Sequence, residues 1–202
     1  MRSILKVLNR SAFGWAGRLV ALGVVALASG CAAVKMPESV GSAANQQKLR
    51  ELAPVSQGVT FGEFTASTAA LAADKGLSVR GSNTIEPRDG SFARQLRDQL
   101  VAEFKAAGLL SGSASLAITG VVTDNQLEAP IGTGKGRLAA RIQVRRAGTI
   151  VFDKEIVASA TWDSPFVGAT AIPAAFNQYG ALYPQLAGKL IDDPEFRAAL
   201  RR

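Results

Sequence analysis

The sequence predicts an α+β fold, with a mainly antiparallel sheet of four or so strands and helices packed on one face of that sheet. Two patterns predict this class. In several segments apolar residues alternate with polar ones, as in half-buried strands, and in a segment between those strands apolar residues recur every four positions, as on the buried side of a helix. A signal peptide and a flexible tether are predicted to precede this domain.

The first 30 residues have the composition of a secretory signal peptide. Four basic residues and no acidic ones precede the end of the apolar run Leu19–Ala28, and small residues follow it. The run is about half the ~20 residues that a membrane-spanning helix needs, so we do not expect a permanent transmembrane anchor. We therefore assign residues 1–30 to a cleaved signal peptide.

Cys31 is the only cysteine, and it directly follows the small residues Ala28-Ser29-Gly30. This setting resembles the lipobox of bacterial lipoproteins, which implies diacylation of the Cys31 thiol, cleavage before it and acylation of the new amino terminus. The other interpretation is an ordinary signal peptide with an incidental cysteine nearby. Ala32, and not Asp, follows Cys31, which resembles lipoproteins sorted to the outer membrane. We expect an outer-membrane location facing the periplasm, with the inner membrane as the alternative.

Composition excludes several classes of function. Four of the 23 basic residues lie in the signal peptide, which leaves 19 basic against 16 acidic residues, so no nucleic-acid partner is expected. The chain has no histidine and no second cysteine, which excludes serine–histidine and cysteine–histidine catalysis and zinc sites built on these residues. We expect no metal, no cofactor and no enzymatic activity, and a membrane contact made through lipid.

Residues 32 to about 57 are rich in Ala, Ser, Gln, Gly and Pro, a composition typical of flexible linkers. One short helix is predicted near Ala43–Leu52. The expected organisation is therefore a lipidated cysteine and flexible linker over residues 31–57, followed by a single α+β periplasmic domain over residues 58–202.

The first part of the domain contains two weak strand signals and the clearest helix. The strands are predicted at Val59–Ala66 and Leu77–Arg80. The helix is predicted over Ser91–Ala107, with Asp89 or Ser91 as its N-cap and Gly108 just past its end. Its apolar stripe consists of Phe92, Leu96, Leu100 and Phe104.

Three strands are predicted next, at Ser115–Thr123, Arg137–Arg145 and Thr149–Trp162. The middle strand alternates so regularly that a slip of one residue would bury three arginines. Those arginines are Arg137, Arg141 and Arg145, and we expect them to pair with Asp153 and Glu155 across the hairpin, with binding of anionic lipid as the alternative. The apolar residues of the last strand are Ile150, Phe152 and Ile156.

The last third of the domain is predicted to be helical with interruptions. One helix follows a Thr170 cap and has Pro173 in its first turn. A second proline, Pro184, predicts a kink or a break. Asp193 is the expected N-cap of a final short helix, Pro194–Ala199.

Two segments are candidates for contact with a partner. The run Gly132–Gly136 lacks the first glycine and the Ser or Thr of a phosphate-binding loop. We interpret it as a flexible hairpin loop that becomes ordered against a partner through Gly134 and Lys135. Trp162 and Phe166 lie at the end of the last predicted strand, and they form either part of the core or an exposed aromatic rim for docking.

Three features recur in a known group of proteins: a strand pair within residues 137–160, the run Phe166-Val167-Gly168-Ala169, and the ending at residues 193–196. In these the chain resembles small periplasm-facing bacterial lipoproteins of the YajG type. The resemblance implies an envelope lipoprotein and supplies no catalytic residue.

The expected function is a non-catalytic binding or assembly module of the cell envelope, with an envelope protein as partner. The alternative is a carrier or sensor that binds lipid, peptidoglycan or polysaccharide in a closed apolar pocket. That pocket would be lined by Phe104, Leu138, Ile142 and Phe152. An enzyme would instead require a cleft that brings Tyr179 or Lys189 to a buried carboxylate.

Overall fold

The computed structural model describes residues 33–52, 58–112 and 114–201. The signal peptide and Cys31 lie outside these residues. The strands are β1 (Ala33–Lys35), β2 (Val59–Ala66), β3 (Leu77–Val79), β4 (Asn83–Glu86), β5 (Leu116–Glu128), β6 (Gly132–Arg146) and β7 (Thr149–Ser164). The helices are α1 (Ala43–Glu51), α2 (Phe92–Ala106), α3 (Gly168–Asp192) and α4 (Pro194–Arg201).

Two sheets organise the domain. The larger has the order β2-β5-β6-β7, in which β2 is parallel to β5 and the other pairs are antiparallel. The smaller has the order β1-β4-β3, with β1 parallel to β4 and β3 antiparallel to it. Helices α2, α3 and α4 pack against the larger sheet. The predicted α+β class is confirmed.

The alternation of β6 sets the inner, helix-covered face of the larger sheet. Its inward side chains are fully buried, and they are Leu138, Ala140, Ile142 and Val144. In β7, Phe152 and Ile156 are buried as expected, whereas Ile150 is 44% exposed. The pairing shifts between Val144↔Phe152 and Arg145↔Ile150, and this bulge turns Ile150 away from the core.

Helix α2 carries two buried rows of side chains. The predicted apolar row, Phe92, Leu96, Leu100 and Phe104, is fully buried. A Ser91 cap begins the helix, because its Oγ accepts from the Arg94 N–H at 3.2 Å. The second row is polar and also has a spacing of four residues; it consists of Gln95, Gln99 and Glu103.

The polar row of α2 binds the chain segment that precedes α1. Gln95 donates to the Pro37 carbonyl at 3.2 Å, and Gln99 donates to the Val40 carbonyl at 2.9 Å. The Glu103 carboxylate is completely buried and accepts three hydrogen bonds. The donors are the Ser42 backbone N–H at 2.8 Å, Asn45 Nδ2 at 2.9 Å and Gln99 Nε2 at 3.0 Å.

Because of these contacts, the folded domain begins earlier in the chain than predicted. Met36, Leu49 and Leu52 lie in the core, and the described residues from Ala33 onward belong to one compact unit. Residues 33–52, expected in the flexible linker, therefore belong to the domain, which begins earlier than the boundary expected at residue 58. The physical reason is that a few buried apolar residues and backbone hydrogen bonds hold this segment, and its Ala- and Ser-rich composition conceals them.

The helical third differs from expectation in two respects, at Pro184 and at the start of α3. Helix α3 is continuous through both prolines, so no break occurs at Pro184. The carbonyl of Pro184 accepts a hydrogen bond from Asn45 Nδ2 at 3.0 Å, which ties this part of α3 to α1. The helix begins at Gly168, with Val167 and not Thr170 in the N-cap position.

Helix α4 closes the core. Its Asp193 cap is confirmed, because Asp193 Oδ1 accepts from the backbone N–H groups of Glu195 at 2.9 Å and Phe196 at 3.1 Å. The Phe196 ring is packed edge-on against Phe152, with centroids 5.4 Å apart, and against Phe104, with centroids 6.4 Å apart.

Glu103→Ala should destabilise the domain by about 1–3 kcal/mol, because it leaves the Ser42 N–H and part of the Asn45 amide buried without their acceptor. Chemical denaturation of the purified domain measures the loss. Glu51→Ala, at an exposed position of α1, is the matched control and should change the free energy of unfolding little. Equal stability of the two variants would contradict the role given to Glu103.

Asp193→Ala should cost about 1 kcal/mol at neutral pH, because it removes the α4 cap. Burial raises the pKa of Asp193, but the Lys154 ammonium at 2.8 Å and the two backbone donors outweigh it and lower that pKa below its ordinary value. A lowered folded-state pKa means that the charge stabilises the fold above the unfolded pKa of ~3.9 and ceases to do so as the pH falls through the folded value.

Asp193→Asn keeps a capping oxygen and tests the charge alone. Its stability deficit relative to the wild type should be present at pH 7 and disappear in strong acid. Thermal unfolding across pH measures it, with the exposed neighbour Asp192 changed to Asn as the control. A deficit that stays constant with pH would contradict this assignment.

Candidate functional site

The four predicted contact residues do not form one surface. Gly134 and Trp162 are paired across β6 and β7 on the inner face, whereas Lys135 lies on the opposite, outer face. Phe166 lies past the end of β7 and is 78% exposed. The structure therefore separates an internal packing pair from an exposed aromatic residue.

The run Gly132–Gly136 is part of strand β6 and not a hairpin loop. Each of its residues pairs with β7, from Gly132↔Ser164 to Gly136↔Ala160. The predicted loop was wrong because β7 extends to Ser164 and supplies a partner strand for the glycines along their whole length.

The glycines admit the Trp162 indole. A Cβ atom at Gly134 would overlap the indole ring, and one at Gly136 would lie 3.2 Å from Leu182 of α3. Trp162 thus packs between the sheet and α3, and its Nε1 is buried without a hydrogen-bond partner among the described residues. Trp162 is a partly buried side chain packed against the core and is not part of an exposed rim.

A cluster of exposed apolar side chains lies beyond the paired ends of β6 and β7. It comprises Ile131, 64% exposed, together with Phe166 and Val167, which is 56% exposed. We call these three residues the apolar tip. Neither connecting segment carries a charge, since residues 129–134 and 164–188 contain no Asp, Glu, Lys or Arg. The tip's own side chains are therefore apolar, and the charge that lies against its backbone is that of Arg80.

Arg80 holds the two segments of the tip together. Its guanidinium donates to the carbonyls of Ala129 at 2.7 Å, Pro165 at 2.6 Å and Phe166 at 3.0 Å, and to Ser164 Oγ at 3.1 Å. Arg80 has a φ of 47°, a left-handed conformation that is uncommon for a residue with a side chain and that lies in the turn between β3 and β4.

Sequence reasoning missed Arg80, because it placed this residue at the end of a weak strand. It also missed Ile131 and Val167. The local signal available for the tip was the run of uncharged residues on both sides of Phe166, whereas nothing local indicated the partners of Arg80, which lie about 50 and 85 positions later.

The arginines of the outer face are engaged with protein groups. Arg141 makes two hydrogen bonds to Asp153, at 2.6 and 3.0 Å, and Arg137 contacts Asp124 at 2.7 Å. The Arg141 hydrogen bonds lower the pKa of Asp153 below its ordinary value. Glu155 instead accepts from Thr123 Oγ1 at 2.6 Å. The expected pairing across the hairpin is thus found for Arg141 only, because Arg137 pairs with Asp124 of β5 and Arg145 donates to the Gly148 carbonyl at 3.2 Å.

The residues that an apolar carrier pocket would require are packed together. Phe104, Leu138, Ile142 and Phe152 all belong to the core cluster, and the Phe196 ring contacts both Phe104 and Phe152. The space expected for a ligand is filled by a side chain of α4.

An open cleft of about 620 Å³ lies on the other side of α2, next to the segment that precedes α1. Charged residues of both signs line it, among them Glu38, Arg88, Asp98 and Lys105. Its mixed charge and open form are those of a polar protein surface.

The two tyrosines of α3 form a buried polar cluster. The Tyr179 hydroxyl donates to Asn125 Oδ1 at 2.7 Å and lies 2.9 Å from the Tyr183 hydroxyl. Burial is the main cause that raises the pKa of both phenols above the ordinary value. Lys189 donates to the Val157 carbonyl at 2.8 Å. These groups are held by structural hydrogen bonds.

Two further findings concern the described residues only. They contain no group of three or more acidic or sulfur ligands placed to hold a metal ion. None of their helices is both long and apolar enough to span a bilayer.

Comparisons with known proteins give structural similarity without sequence similarity. No family model matches the chain, and no curated protein matches it. Protein XCC0632 from Xanthomonas campestris, of the family DUF330, is similar in fold, with a TM-score of 0.54 and 10% sequence identity over 70% of this chain and 85% of that one.

Two other solved structures are similar at lower scores. A Caulobacter crescentus protein has a TM-score of 0.44 and 18% identity, covering 78% of this chain and 96% of its own. The minor lipoprotein from Acinetobacter baumannii has a TM-score of 0.38 and 11% identity, covering 66% of this chain and 90% of its own. These comparisons do not identify the chain as a member of the YajG type; at such identities the similarity to XCC0632 shows a shared fold.

Proposed function

We propose that this protein is a lipoprotein anchored through Cys31 in the bacterial outer membrane, faces the periplasm, and acts as a non-catalytic binding or assembly module of the envelope. The anchor is supported by the signal-peptide composition and by the cysteine that follows Ala28-Ser29-Gly30. Two or more acyl chains on this cysteine would hold the protein stably in a membrane.

One observation favours a binding or assembly module over a carrier with an internal ligand pocket. The Phe196 ring contacts both Phe104 and Phe152, so the residues that would line a ligand pocket are in contact with the protein's own side chains. A filled interior and a surface with an exposed apolar tip and an open polar cleft favour contacts made on the outside of the domain.

Cys31→Ser should abolish acylation, since the serine hydroxyl replaces the thiol to which the diacylglyceryl group is attached. The variant should leave the membrane fraction, and the mass of its N-terminal peptide should lack the acyl chains. Ser29→Ala, which keeps a small residue in the same motif, is the matched control and should stay acylated. A Cys31→Ser protein that remains acylated and membrane-bound would contradict the anchor.

The module is tested by crosslinking the natively lipidated protein in cells and identifying the captured material by mass spectrometry. We expect one dominant envelope protein, linked to described residues of the domain, and its loss in the Cys31→Ser protein. Capture of lipid or cell-wall material alone would contradict the module and favour the carrier.

A further inference from the structure

We propose that the apolar tip, Ile131, Phe166 and Val167, inserts into the surface of the same membrane leaflet that holds the lipid at Cys31. The domain would then rest directly on the bilayer instead of extending away from it on a tether. This inference rests on the proposed function, because it requires the acyl chains at Cys31.

The first step is the short reach of the chain between anchor and domain. Only Ala32 separates Cys31 from Ala33, the first residue of β1. Successive Cα atoms are 3.8 Å apart, so Cys31 lies within about 7.6 Å of Ala33. Strand β1 is held by its pairing with β4 and by the Met36 N–H, which donates to the Glu86 carbonyl at 2.8 Å. An acylated Cys31 therefore brings this end of the domain to the membrane.

The second step is that the tip lies at the same end of the smaller sheet. Because β1 is parallel to β4, with Ala33↔Thr84 in register, β1 begins where β4 begins. The turn that contains Arg80 joins β3 to the start of β4, and neighbouring strands are about 4.8 Å apart. From this turn the Arg80 guanidinium directly contacts the backbone of the tip.

The third step is the chemistry of the tip. Its exposed side chains are aromatic and aliphatic, and residues 129–134 and 164–188 contain no charged side chain, which lowers the cost of entering a bilayer. The Arg80 guanidinium lies behind them, on their backbone carbonyls. Unpaired backbone carbonyls are also costly in a bilayer. Arg80 donates to four carbonyls in the two segments that carry the tip, those of Ala129, Pro130, Pro165 and Phe166, and so reduces that cost.

These observations favour lipid over a protein as the occupant. An aliphatic and aromatic surface next to a lipid anchor meets the acyl–headgroup boundary without any further partner. Interfacial amphipathic helices bury their apolar face about 5–10 Å into the headgroup–acyl boundary, and we expect the tip to reach a similar depth. The charged outer face and the polar cleft remain free for proteins.

The test uses the acylated protein in phospholipid vesicles. Because acylation consumes the Cys31 thiol, Phe166→Cys or Ile131→Cys introduces one free thiol, which is labelled with the environment-sensitive fluorophore NBD. Ile150→Cys is the matched control: it is an exposed apolar residue at the opposite end of the β6–β7 hairpin, about 45 Å along the strands. The quencher is a phosphatidylcholine with a doxyl group high on its acyl chain.

We expect the labels at positions 131 and 166 to lose most of their fluorescence in quencher vesicles, and the label at position 150 to keep it. No quenching at 131 and 166, or equal quenching at all three positions, would overturn the inference. A blue-shifted emission at 166 without quenching would also overturn it, since the tip would then contact protein.

Mass spectrometry of each labelled protein separates this inference from the proposed function. Acylated protein whose tip is not quenched contradicts the insertion and leaves the lipid anchor intact. Protein that carries no acyl chains contradicts the anchor, and the inference fails with it. Because Phe166 is exposed, its substitution should leave the folded state intact, which circular dichroism of each variant checks.

Discussion

The buried carboxylate of Glu103 is the contact on which the position of the N-terminal segment depends. It accepts from the backbone that precedes α1, from Asn45 of α1 and from Gln99 of α2, and Asn45 in turn reaches the carbonyl of Pro184 in α3. Glu103 and Asn45 together thus join three helices. A buried carboxylate is tolerated only when such donors surround it, so the segment and the helices are held as a unit.

A folded N-terminal segment changes what the lipid anchor would do. A linker of about 25 residues would let the domain move tens of ångströms from the membrane. With residues 33–52 packed on α2 and α3, the domain starts two residues after Cys31. The Arg80 turn connects the end of the domain at which β1 begins to the apolar tip. The packing of residues 33–52 and the contact of Arg80 with the tip both depend on hydrogen bonds between residues far apart in sequence.

Much of the fold could be predicted from local patterns. The strict alternation around Leu138 and Ile142 predicted β6, and the four-residue spacing of apolar residues predicted α2. The Asp193-Pro194 pair predicted the start of α4. The linker assignment failed because the Ala- and Ser-rich composition of residues 33–52 hides the few apolar residues and hydrogen bonds that hold this segment to α2. The site was harder: Trp162 required the pairing of β7 with the glycines of β6, and Arg80 required contacts between residues far apart in sequence, which no local signal contains.

Hydrogen exchange of the backbone amides within residues 33–52 tests the central claim, that this segment is part of the folded domain. The account predicts protection of the α1 amides and of the Met36 and Ser42 N–H groups, with exchange far slower than in an unfolded peptide. Exchange at the unfolded rate throughout this segment, with α2 still protected, would show a flexible tether and contradict the account.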